Sequence, residues 1–338
     1  MKAVVIRAFG PPDVMRLEEV PTPTPGPGEV LIQVHAVSVN RTLDLVVRAG
    51  RYARTVSFPH VLGVDPSGII VAVGTGVTKR KVGERVATTI RLNQVSGADH
   101  PRLLGIDIWG GYAEYVKVPA TAAHLVPDAV DFPVATVVAR HAPTAFHLLR
   151  DRAKVEPGEW VLVMGAAGGL GSAGVQAAKY LGARVIAAAG ADERVQAACD
   201  LGAEGGVNYR ASDLTAEVLR ITQGRGVNVV FENIGDAELF AKAFASLARG
   251  GRLVTAGGHG GGIVPLDVNR LYLDQITVMG ARGEIAADVT RSLEAAAQGR
   301  FKVLIDRVLP LSQAVRAHEI VAARSGIGKV LLDPTRPN

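Results

Sequence analysis

The sequence predicts an α/β protein of two domains, a barrel-like domain of short strands and a doubly wound parallel-sheet domain. The chain has 338 residues, more than one ordinary hydrophobic core accommodates. Up to about residue 124 it consists of short runs rich in valine and isoleucine, separated by glycine and proline. From about residue 155 short apolar strands alternate with amphipathic helices, a pattern typical of a parallel sheet with helices on both faces.

Each predicted element can be read in order. The first domain contains the strands MKAVVIRAF, VLIQVHAVSV, SGIIVAVG, ERVATTI and AEYVKVPA, with the stiff turn PTPTPGPGE between the first two. The second contains the strands WVLVMG, RVIAAAG, NVVFENIG and RLVTAGG, separated by helices such as GSAGVQAAKYLGA and AELFAKAFASLARGG. The tail returns to the strand-like GKVLLDP, which could complete the first domain. We therefore expect one domain from 1–124 with 276–338, and another from 125–275.

Composition and charge exclude several classes of protein. The net charge is +5, but the basic residues are scattered, and the one short run, Lys79 to Lys81, lies in a turn-like segment. We therefore expect no nucleic-acid partner. The apolar segments are broken by glycine, so no membrane partner is expected either. The N-terminus reads as a strand rather than a signal peptide, and the single cysteine, Cys199, excludes an internal disulfide. These features predict a cytoplasmic protein.

The segment WVLVMGAAGGLGSAGVQAAKYLGARVIAAAG predicts a dinucleotide site. It has a strand, a glycine-rich turn, a helix and a second strand in the order that such a fold requires. Ala166 replaces the first glycine of the G-x-G-x-x-G pattern, and Gly171 lets the helix pack on the strand. The turn residues Ala167, Gly168, Gly169 and Leu170 would meet the pyrophosphate at the start of the helix. The alternative is a tight turn that binds nothing.

The end of the second strand favours NADP(H) over NAD. An NAD site usually has an acidic residue there to bind the ribose 2′-hydroxyl. This chain has Gly190 with an alanine on either side. Arg194 and Tyr209 could contact a 2′-phosphate, although an exposed arginine and a packing tyrosine are equally good readings. The acidic pair Asp192 and Glu193 argues against NADP unless both point outward.

Further polar or small residues follow the later strands of this sheet. Asn233 ends the segment NVVFENIG, and Gly257 follows RLVTAGG. Cofactors bind at the carboxyl ends of parallel strands, so both are predicted to contact the dinucleotide. Alternatively, each residue could simply form a turn or cap a helix.

The chain resembles the medium-chain dehydrogenase/reductases, and within them the zinc-free quinone oxidoreductase-like branch. The resemblance rests on the glycine turn and on HVLGVDPSGIIVAVGTGVTKRKVGERV, GGYAEYVKVPA and GKVLLDP, which occur in the family's order. It implies a GroES-like β-barrel domain, a Rossmann domain, and a homodimer or homotetramer. It also implies that Asn40 and Tyr52 are catalytic hydrogen-bond donors, and that Thr144 and Lys329 lie near the cofactor.

The resemblance also implies where zinc would be bound, and those positions do not suit it. The catalytic ligand positions are taken by Asn40, Val64 and Arg140, none of which is a good zinc ligand. The lobe near 91–110, which holds a structural zinc in other members, lacks its four cysteines. We therefore predict no metal. The family spacing N-x-x-D is one residue longer here, from Asn40 to Asp44, which puts the role of Asp44 in question.

Without a Lewis acid, reduction of a plain ketone is harder than reduction of a quinone or enone, whose developing charge is delocalised. The leading hypothesis is an NADPH-dependent, zinc-independent reductase of quinones or α,β-unsaturated carbonyls. The alternatives are an enoyl-thioester reductase, a zinc-free alcohol dehydrogenase or carbonyl reductase, and an NADPH-binding redox sensor without turnover. Arg41 and Arg140 would make an anionic substrate more plausible. The sequence leaves the specific substrate open.

Overall fold

A computed structural model describes residues 1–93, 100–283, 285–324 and 326–337. The chain forms two compact units, Met1–Arg140 with Val289–Asn338 (the barrel unit) and His141–Asp288 (the Rossmann unit). These units differ from the predicted domain limits in where residues 125–140 and 276–288 belong.

The strands and helices of the described residues are as follows. The strands are β1 (Lys2–Ile6), β2 (Arg16–Glu19), β3 (Glu29–Ser38), β4 (His60–Val61), β5 (Ser67–Val73), β6 (Arg85–Thr88), β7 (Tyr115–Pro119), β8 (Ala123–Leu125), β9 (Trp160–Met164), β10 (Arg184–Ala189), β11 (Gly205–Asn208), β12 (Val227–Glu232), β13 (Leu247–Thr255), β14 (Thr277–Gly280), β15 (Ile305–Pro310) and β16 (Lys329–Asp333). The helices are α1 (Asp44–Arg48), α2 (Phe132–Phe146), α3 (Gly169–Tyr180), α4 (Asp192–Asp200), α5 (Leu214–Ile221), α6 (Ala237–Ala245), α7 (Val268–Leu273), α8 (Ala286–Ala297) and α9 (Ala314–Ala323).

The Rossmann unit is built on a parallel sheet. Its described strands run in the order β11-β10-β9-β12-β13-β14, so the strand order reverses between β9 and β12. Cofactors of doubly wound sheets bind at such a reversal, outside the carboxyl ends of the strands. Helix α3 packs closely on this sheet because it is rich in glycine and alanine. A Cβ added at Gly174 would lie 2.9 Å from the Phe231 ring.

The barrel unit is mostly antiparallel. Its larger sheet has the order β15-β16-β3-β5-β6-β8, with β7 paired to β3, and a smaller sheet has the order β2-β1-β4. The C-terminal strand β16 pairs with β3 through Leu331 and Ser38. The tail therefore completes this unit, as GKVLLDP suggested. Strand β3 lies between β5, β7 and β16, so the residues that follow its end are surrounded by chain.

The predicted fold class is confirmed. A GroES-like β domain and a Rossmann parallel-sheet domain account for the described chain. Among the helices that the structure describes, none combines the length and the hydrophobicity needed to span a membrane.

Candidate active site

The glycine turn after β9 is shaped by backbone contacts that only glycine permits. Gly165 has a φ of +61°, in the left-handed region. A Cβ added at Gly171 would lie 2.1 Å from the Gly165 carbonyl oxygen, so the first turn of α3 packs directly on the end of the strand. Ala166, at the first glycine position of the pattern, is fully buried and donates its N–H to the Ala188 oxygen at 3.0 Å.

The start of α3 offers donors to an anion. Gly168 is the exposed N-cap, and the first bond of the helix runs from Ser172 N to Gly168 O at 2.8 Å. The N–H groups of Gly169, Leu170 and Gly171 precede that bond, as the terminal N–H groups of a helix do. Ala167 is buried beside them. The predicted pyrophosphate residues therefore lie together at one helix start.

Two predicted residues support this turn from the neighbouring strands. Asn233 follows β12 and donates from Nδ2 to the Met164 carbonyl at 2.7 Å, which ties the ends of the two central strands together. A Cβ at Gly257 would lie 2.0 Å from the Asn233 carbonyl oxygen, so glycine is required there. The structure thus gives both residues a scaffolding contact at the carboxyl edge of the sheet.

The end of β10 brings Gly190 together with Tyr209 and an arginine that the sequence reading missed. A Cβ at Gly190 would lie 3.2 Å from the Tyr209 hydroxyl oxygen and 3.2 Å from Arg210 Nε. Asp192 starts α4, is exposed, and accepts a hydrogen bond from Asn208 Nδ2 at 2.8 Å. Arg194 lies in the first turn of α4 and is half-buried.

Two further residues of this unit, His141 and Thr144, lie in the C-terminal part of α2. A Cβ at Gly169 would lie 2.5 Å from His141 Nε2, so this histidine lies against the N-terminal end of α3. The histidine was not singled out from the sequence, because it has no motif of its own. Thr144, which the resemblance placed near the cofactor, is buried in α2.

The barrel unit holds a compact group of buried polar residues at the end of β3, which we call the barrel cluster: Ser38, Asn40, Asp44, Asp65 and Lys329. Asp65 accepts from the Ser38 amide at 2.9 Å and from its hydroxyl at 2.5 Å. Asp44 accepts from Asn40 N at 2.7 Å and from Gly63 N at 3.0 Å. The two carboxyl groups therefore join the chain after β3 to the segment before β5.

The side chain of Asn40 is at the centre of this cluster. Its Nδ2 donates to Asp65 Oδ2 at 3.0 Å, to Ser38 Oγ at 3.1 Å and to Ser38 O at 3.3 Å. Its Oδ1 accepts from Lys329 Nζ at 2.8 Å, and the same ammonium donates to Val39 O at 3.1 Å. Only 4% of Asn40 and 8% of Lys329 are exposed. The structure therefore joins two predicted site residues that are 289 positions apart.

Burial shifts the pKa values in the barrel cluster towards neutrality. The pKa of Asp44 is raised to about 7, chiefly by burial and by the Asp65 carboxyl, against the two backbone N–H bonds. The pKa of Lys329 is lowered to about 8 by burial, although both carboxyls oppose that change. Both groups therefore titrate in the range in which acid–base catalysts work.

Tyr52 lies apart from the hydrogen bonds of this cluster. It is half-buried in the loop after α1, where it packs on the hydrophobic core of the barrel unit. Within the part of the chain that the structure describes, its hydroxyl makes no hydrogen bond to protein. That hydroxyl is therefore a donor without an acceptor among the described residues.

The described residues at the positions where the resemblance implies catalytic zinc ligands are poorly suited to bind a metal. Val64 is an apolar buried side chain, and the amide of Asn40 is bonded to an ammonium group. Among the described ranges, no group of three or more His, Cys, Asp or Glu side chains is arranged to hold a metal ion. The Lys329 ammonium already bonds to the Asn40 Oδ1 atom that would have to coordinate a metal, so these residues do not fit zinc. The predicted lobe near 91–110 lies partly outside the described residues, which omit 94–99.

Comparison with known proteins agrees with this architecture. Residues 26–128 match the alcohol dehydrogenase GroES-like domain, and residues 169–298 match the zinc-binding dehydrogenase family. The quinone oxidoreductase of Sus scrofa is 30% identical over 98% of this chain and 97% of its own length. A 2-haloacrylate reductase of a Burkholderia species is 32% identical over 98% of each chain.

Solved structures show the same relationship. The crystal structure of AibC superposes with a TM-score of 0.92 at 33% identity, covering 99% of this chain and 96% of its own. An NAD-dependent alcohol dehydrogenase gives 0.91 at 33% identity, over 98% and 99%. The Escherichia coli quinone oxidoreductase complexed with NADPH gives 0.84 at 27% identity, over 99% and 100%. The chain therefore belongs to the medium-chain dehydrogenase/reductase superfamily, in its quinone oxidoreductase-like branch.

Proposed function

We propose that this chain is an NADPH-dependent, zinc-independent reductase that transfers hydride to quinones or α,β-unsaturated carbonyl compounds. The observation that carries the proposal is the barrel cluster, in which the Lys329 ammonium donates to Asn40, the residue at a position where the resemblance implies a zinc ligand. The relatives named quinone oxidoreductase and 2-haloacrylate reductase support the substrate class.

The residues around Gly190 support the choice of NADPH. A glycine leaves room for a 2′-phosphate, and Tyr209 and Arg210 lie beside it as a hydroxyl donor and a cationic donor. Asp192, the first acid after this strand, accepts a hydrogen bond from the Asn208 amide. The pyrophosphate would bind at the first turn of α3, through the N–H groups of residues 169–171.

The chemistry would rest on hydrogen bonding. When bound, NADPH supplies a hydride, which adds to the electron-poor carbon of the substrate and leaves an enolate or phenolate oxygen. The Tyr52 hydroxyl would donate a hydrogen bond or a proton to that oxygen. Asn40 could donate to it by giving up its longest bond, the 3.3 Å contact with Ser38 O. The delocalised charge of a quinone or enone makes such donors sufficient.

Initial-rate assays test the proposal directly. NADPH oxidation should be measured with a panel of 1,4-quinones and 2-alkenals, next to an enoyl-CoA and, in reverse with NADP⁺, simple alcohols. We expect turnover with the quinones or alkenals, faster with NADPH than with NADH, and unchanged by a strong chelator. Loss of activity in chelator with recovery on adding zinc would overturn the zinc-independent mechanism.

The same assays distinguish the alternative functions. Turnover of the enoyl-CoA alone would make the chain an enoyl-thioester reductase. Oxidation of simple alcohols would make it a zinc-free alcohol dehydrogenase or carbonyl reductase, which the structural likeness to an NAD-dependent alcohol dehydrogenase favours. Tight NADPH binding without turnover of any compound would favour a redox sensor.

We also propose that the protein forms a homodimer through the outer edge of the Rossmann sheet. Strand β14 is outermost in the described sheet, and exposed apolar side chains lie on and around it. They include Val268, Tyr272, Leu273 and Val278. An open strand edge with an apolar surround favours pairing with a second copy. A cytoplasmic location remains a prediction from the sequence.

Sedimentation of two matched valine variants tests the dimer. Val278 is 37% exposed on β14, and Val73 is 38% exposed on β5 of the barrel unit. We expect Val278→Lys to sediment as a monomer and Val73→Lys to keep the mass of the unmodified protein. A monomeric unmodified protein at micromolar concentration would contradict the proposal.

A further inference from the structure

The carboxamide of Asn40 is held between an ammonium and a carboxyl group. Its Oδ1 lies 2.8 Å from Lys329 Nζ, and its Nδ2 lies 3.0 Å from Asp65 Oδ2. An ammonium only donates and a carboxylate only accepts. If the oxygen and nitrogen of the amide changed places, a donor would face a donor and an acceptor would face an acceptor. The two neighbours therefore fix one orientation of the Asn40 side chain.

The Asp65 carboxyl is itself held by Ser38. Its Oδ1 accepts from the Ser38 amide at 2.9 Å, and its Oδ2 accepts from the Ser38 hydroxyl at 2.5 Å. Asn40, Asp65 and Ser38 are all buried, as is Lys329. Because both of its oxygens are engaged, the carboxyl cannot turn away from Asn40 without breaking these bonds.

The two hydrogens of Asn40 Nδ2 are engaged unequally. The Ser38 Oγ and Asp65 Oδ2 atoms are 2.5 Å apart and lie 3.1 Å and 3.0 Å from Nδ2, so they can share one hydrogen. The other hydrogen has the 3.3 Å contact with the Ser38 carbonyl, which is long for an N–H···O bond. This second hydrogen is therefore the one that a substrate oxygen could accept.

The ammonium at the far end of the amide acts on that hydrogen. Among the described residues, the hydrogen bonds of the Lys329 ammonium go to Asn40 Oδ1 and, at 3.1 Å, to Val39 O. A cation on an amide oxygen draws electrons away from the nitrogen, and hydrogen bonds linked in this way strengthen one another. The charge of Lys329 is therefore felt at the Nδ2 hydrogens of Asn40.

We propose that Lys329 is a positioning residue that acts through Asn40. Together with Asp65 its ammonium sets the orientation of the carboxamide, and it polarises the amide so that the second Nδ2 hydrogen becomes a stronger donor to the substrate oxygen. The inference rests on the proposed function for that substrate. The orientation and the polarisation of the amide need no substrate and can be measured without one.

Nitrogen-15 NMR of the side-chain amides tests the polarisation in the full chain without cofactor or substrate. The sequence has only seven asparagines, so selective labelling gives few NH2 signals, and Asn40→Ser identifies that of Asn40. Asn233 is an internal reference, because it is buried and its Nδ2 donates to the Met164 carbonyl at 2.7 Å. Within the described ranges, the oxygen of that amide accepts from no ammonium.

Three Lys329 variants separate charge from contact. Lys329→Met removes the charge and the donor, whereas Lys329→Gln keeps a neutral N–H donor. We expect the Asn40 nitrogen signal to move upfield in both, farther in Lys329→Met, and to stay near its original position in Lys329→Arg, which keeps a cation. Lys117→Met, which removes an ammonium bonded to Glu29 at 3.0 Å, is the matched control and should leave the signal in place. The Asn233 signal should stay constant throughout.

The outcomes decide the inference whether or not the neutral variants fold. An Asn40 signal that is the same in Lys329→Met as in the unmodified protein would overturn it. If neither neutral variant folds, nuclear Overhauser contacts in the unmodified protein test the orientation. The Nδ2 hydrogens should then be closer to the β-hydrogens of Ser38 than to the ε-hydrogens of Lys329, and the reverse order would overturn the inference.

Steady-state kinetics separates this inference from the proposed function. If the enzyme reduces quinones or enones, Lys329→Met should lower kcat about tenfold with little change in KM, and Lys329→Arg should recover most of that loss. An unchanged kcat would overturn the action of Lys329 on the reaction, even if the Asn40 signal moves. An unmodified protein without turnover would instead contradict the proposed function, while a moved Asn40 signal would still support the polarised amide.

Discussion

The proposed phosphate site at the glycine turn and the barrel cluster would hold charged groups in opposite ways. The turn uses backbone N–H groups at the start of α3, within one stretch of the chain from Gly165 to Gly171. The barrel cluster uses side chains that carry full charges and are buried. Backbone donors survive every substitution except proline, but their geometry fails when a Cβ intrudes. Buried charges tolerate shape changes better, but they fail when one partner is lost.

Removing the ammonium should have the largest effect. Lys329→Met leaves the carboxyls of Asp44 and Asp65 buried without their cation, so we expect the free energy of unfolding to fall by about 3 to 5 kcal/mol. Chemical denaturation measures this. The exposed Lys79→Met is the control and should stay within about 0.5 kcal/mol. Equal denaturation midpoints for the two variants would mean that Lys329 does not stabilise the buried carboxyls of Asp44 and Asp65.

Two alanine variants test the backbone of the turn. A Cβ at Gly171 would meet the Gly165 oxygen at 2.1 Å, whereas a Cβ at Gly168 would meet the same atom at 3.3 Å. We expect Gly171→Ala to lower the free energy of unfolding by about 3 kcal/mol and to abolish NADPH binding. Gly168→Ala should keep the thermal stability of the unmodified protein and lose only affinity for NADPH. Similar stability of both variants would contradict the close packing of strand and helix.

The pH dependence of stability tests the barrel side of the comparison. His318, which faces Arg48 and Tyr112, has a pKa lowered to about 3 in the fold, against about 6.5 when unfolded. Between these values the unfolded chain binds more protons, so the free energy of unfolding should rise with pH, by at most about 1.4 kcal/mol per pH unit from this group. His318→Gln should flatten that slope between about pH 3 and 6.5, as measured by urea denaturation. A slope identical to that of the unmodified protein would show that His318 is protonated in the fold.

The smallest effect is expected at the ribose. Arg210→Ala should raise the Kd for NADPH about tenfold, the loss of one charge-assisted hydrogen bond, and leave the Kd for NADH nearly unchanged. Isothermal titration calorimetry measures both. Arg249→Ala, an exposed arginine of the same unit, is the control. An equal loss for NADPH and NADH would remove Arg210 from the 2′-phosphate.

The two regions also differ in how far the sequence predicts them. The glycine turn and the alternation of strands and helices were predictable because the signal lies in consecutive residues with a fixed spacing. Arg210 was missed although it follows Tyr209 directly, since strand ends are located from sequence only to within a few residues. The barrel cluster joins residues as far apart as 38 and 329, and no periodic pattern within a short stretch of sequence predicts such a contact. That Lys329 lies near the cofactor stays a prediction from the resemblance, and its hydrogen bond to Asn40 could be found only in the structure.

The bond between Lys329 and Asn40 has a consequence for how this protein becomes functional. A positive charge carried on a lysine is synthesised with the polypeptide, and here it is held in the core by the last strand, β16, which pairs with β3. Such a charge needs no delivery system, cannot be exchanged for a competing ion, and does not leave when the surroundings run short of metal. However, the lysine ammonium loses its charge when it loses a proton at alkaline pH, whereas a bound divalent ion keeps its charge at any pH. The barrel unit would therefore be independent of metal supply but sensitive to alkaline pH.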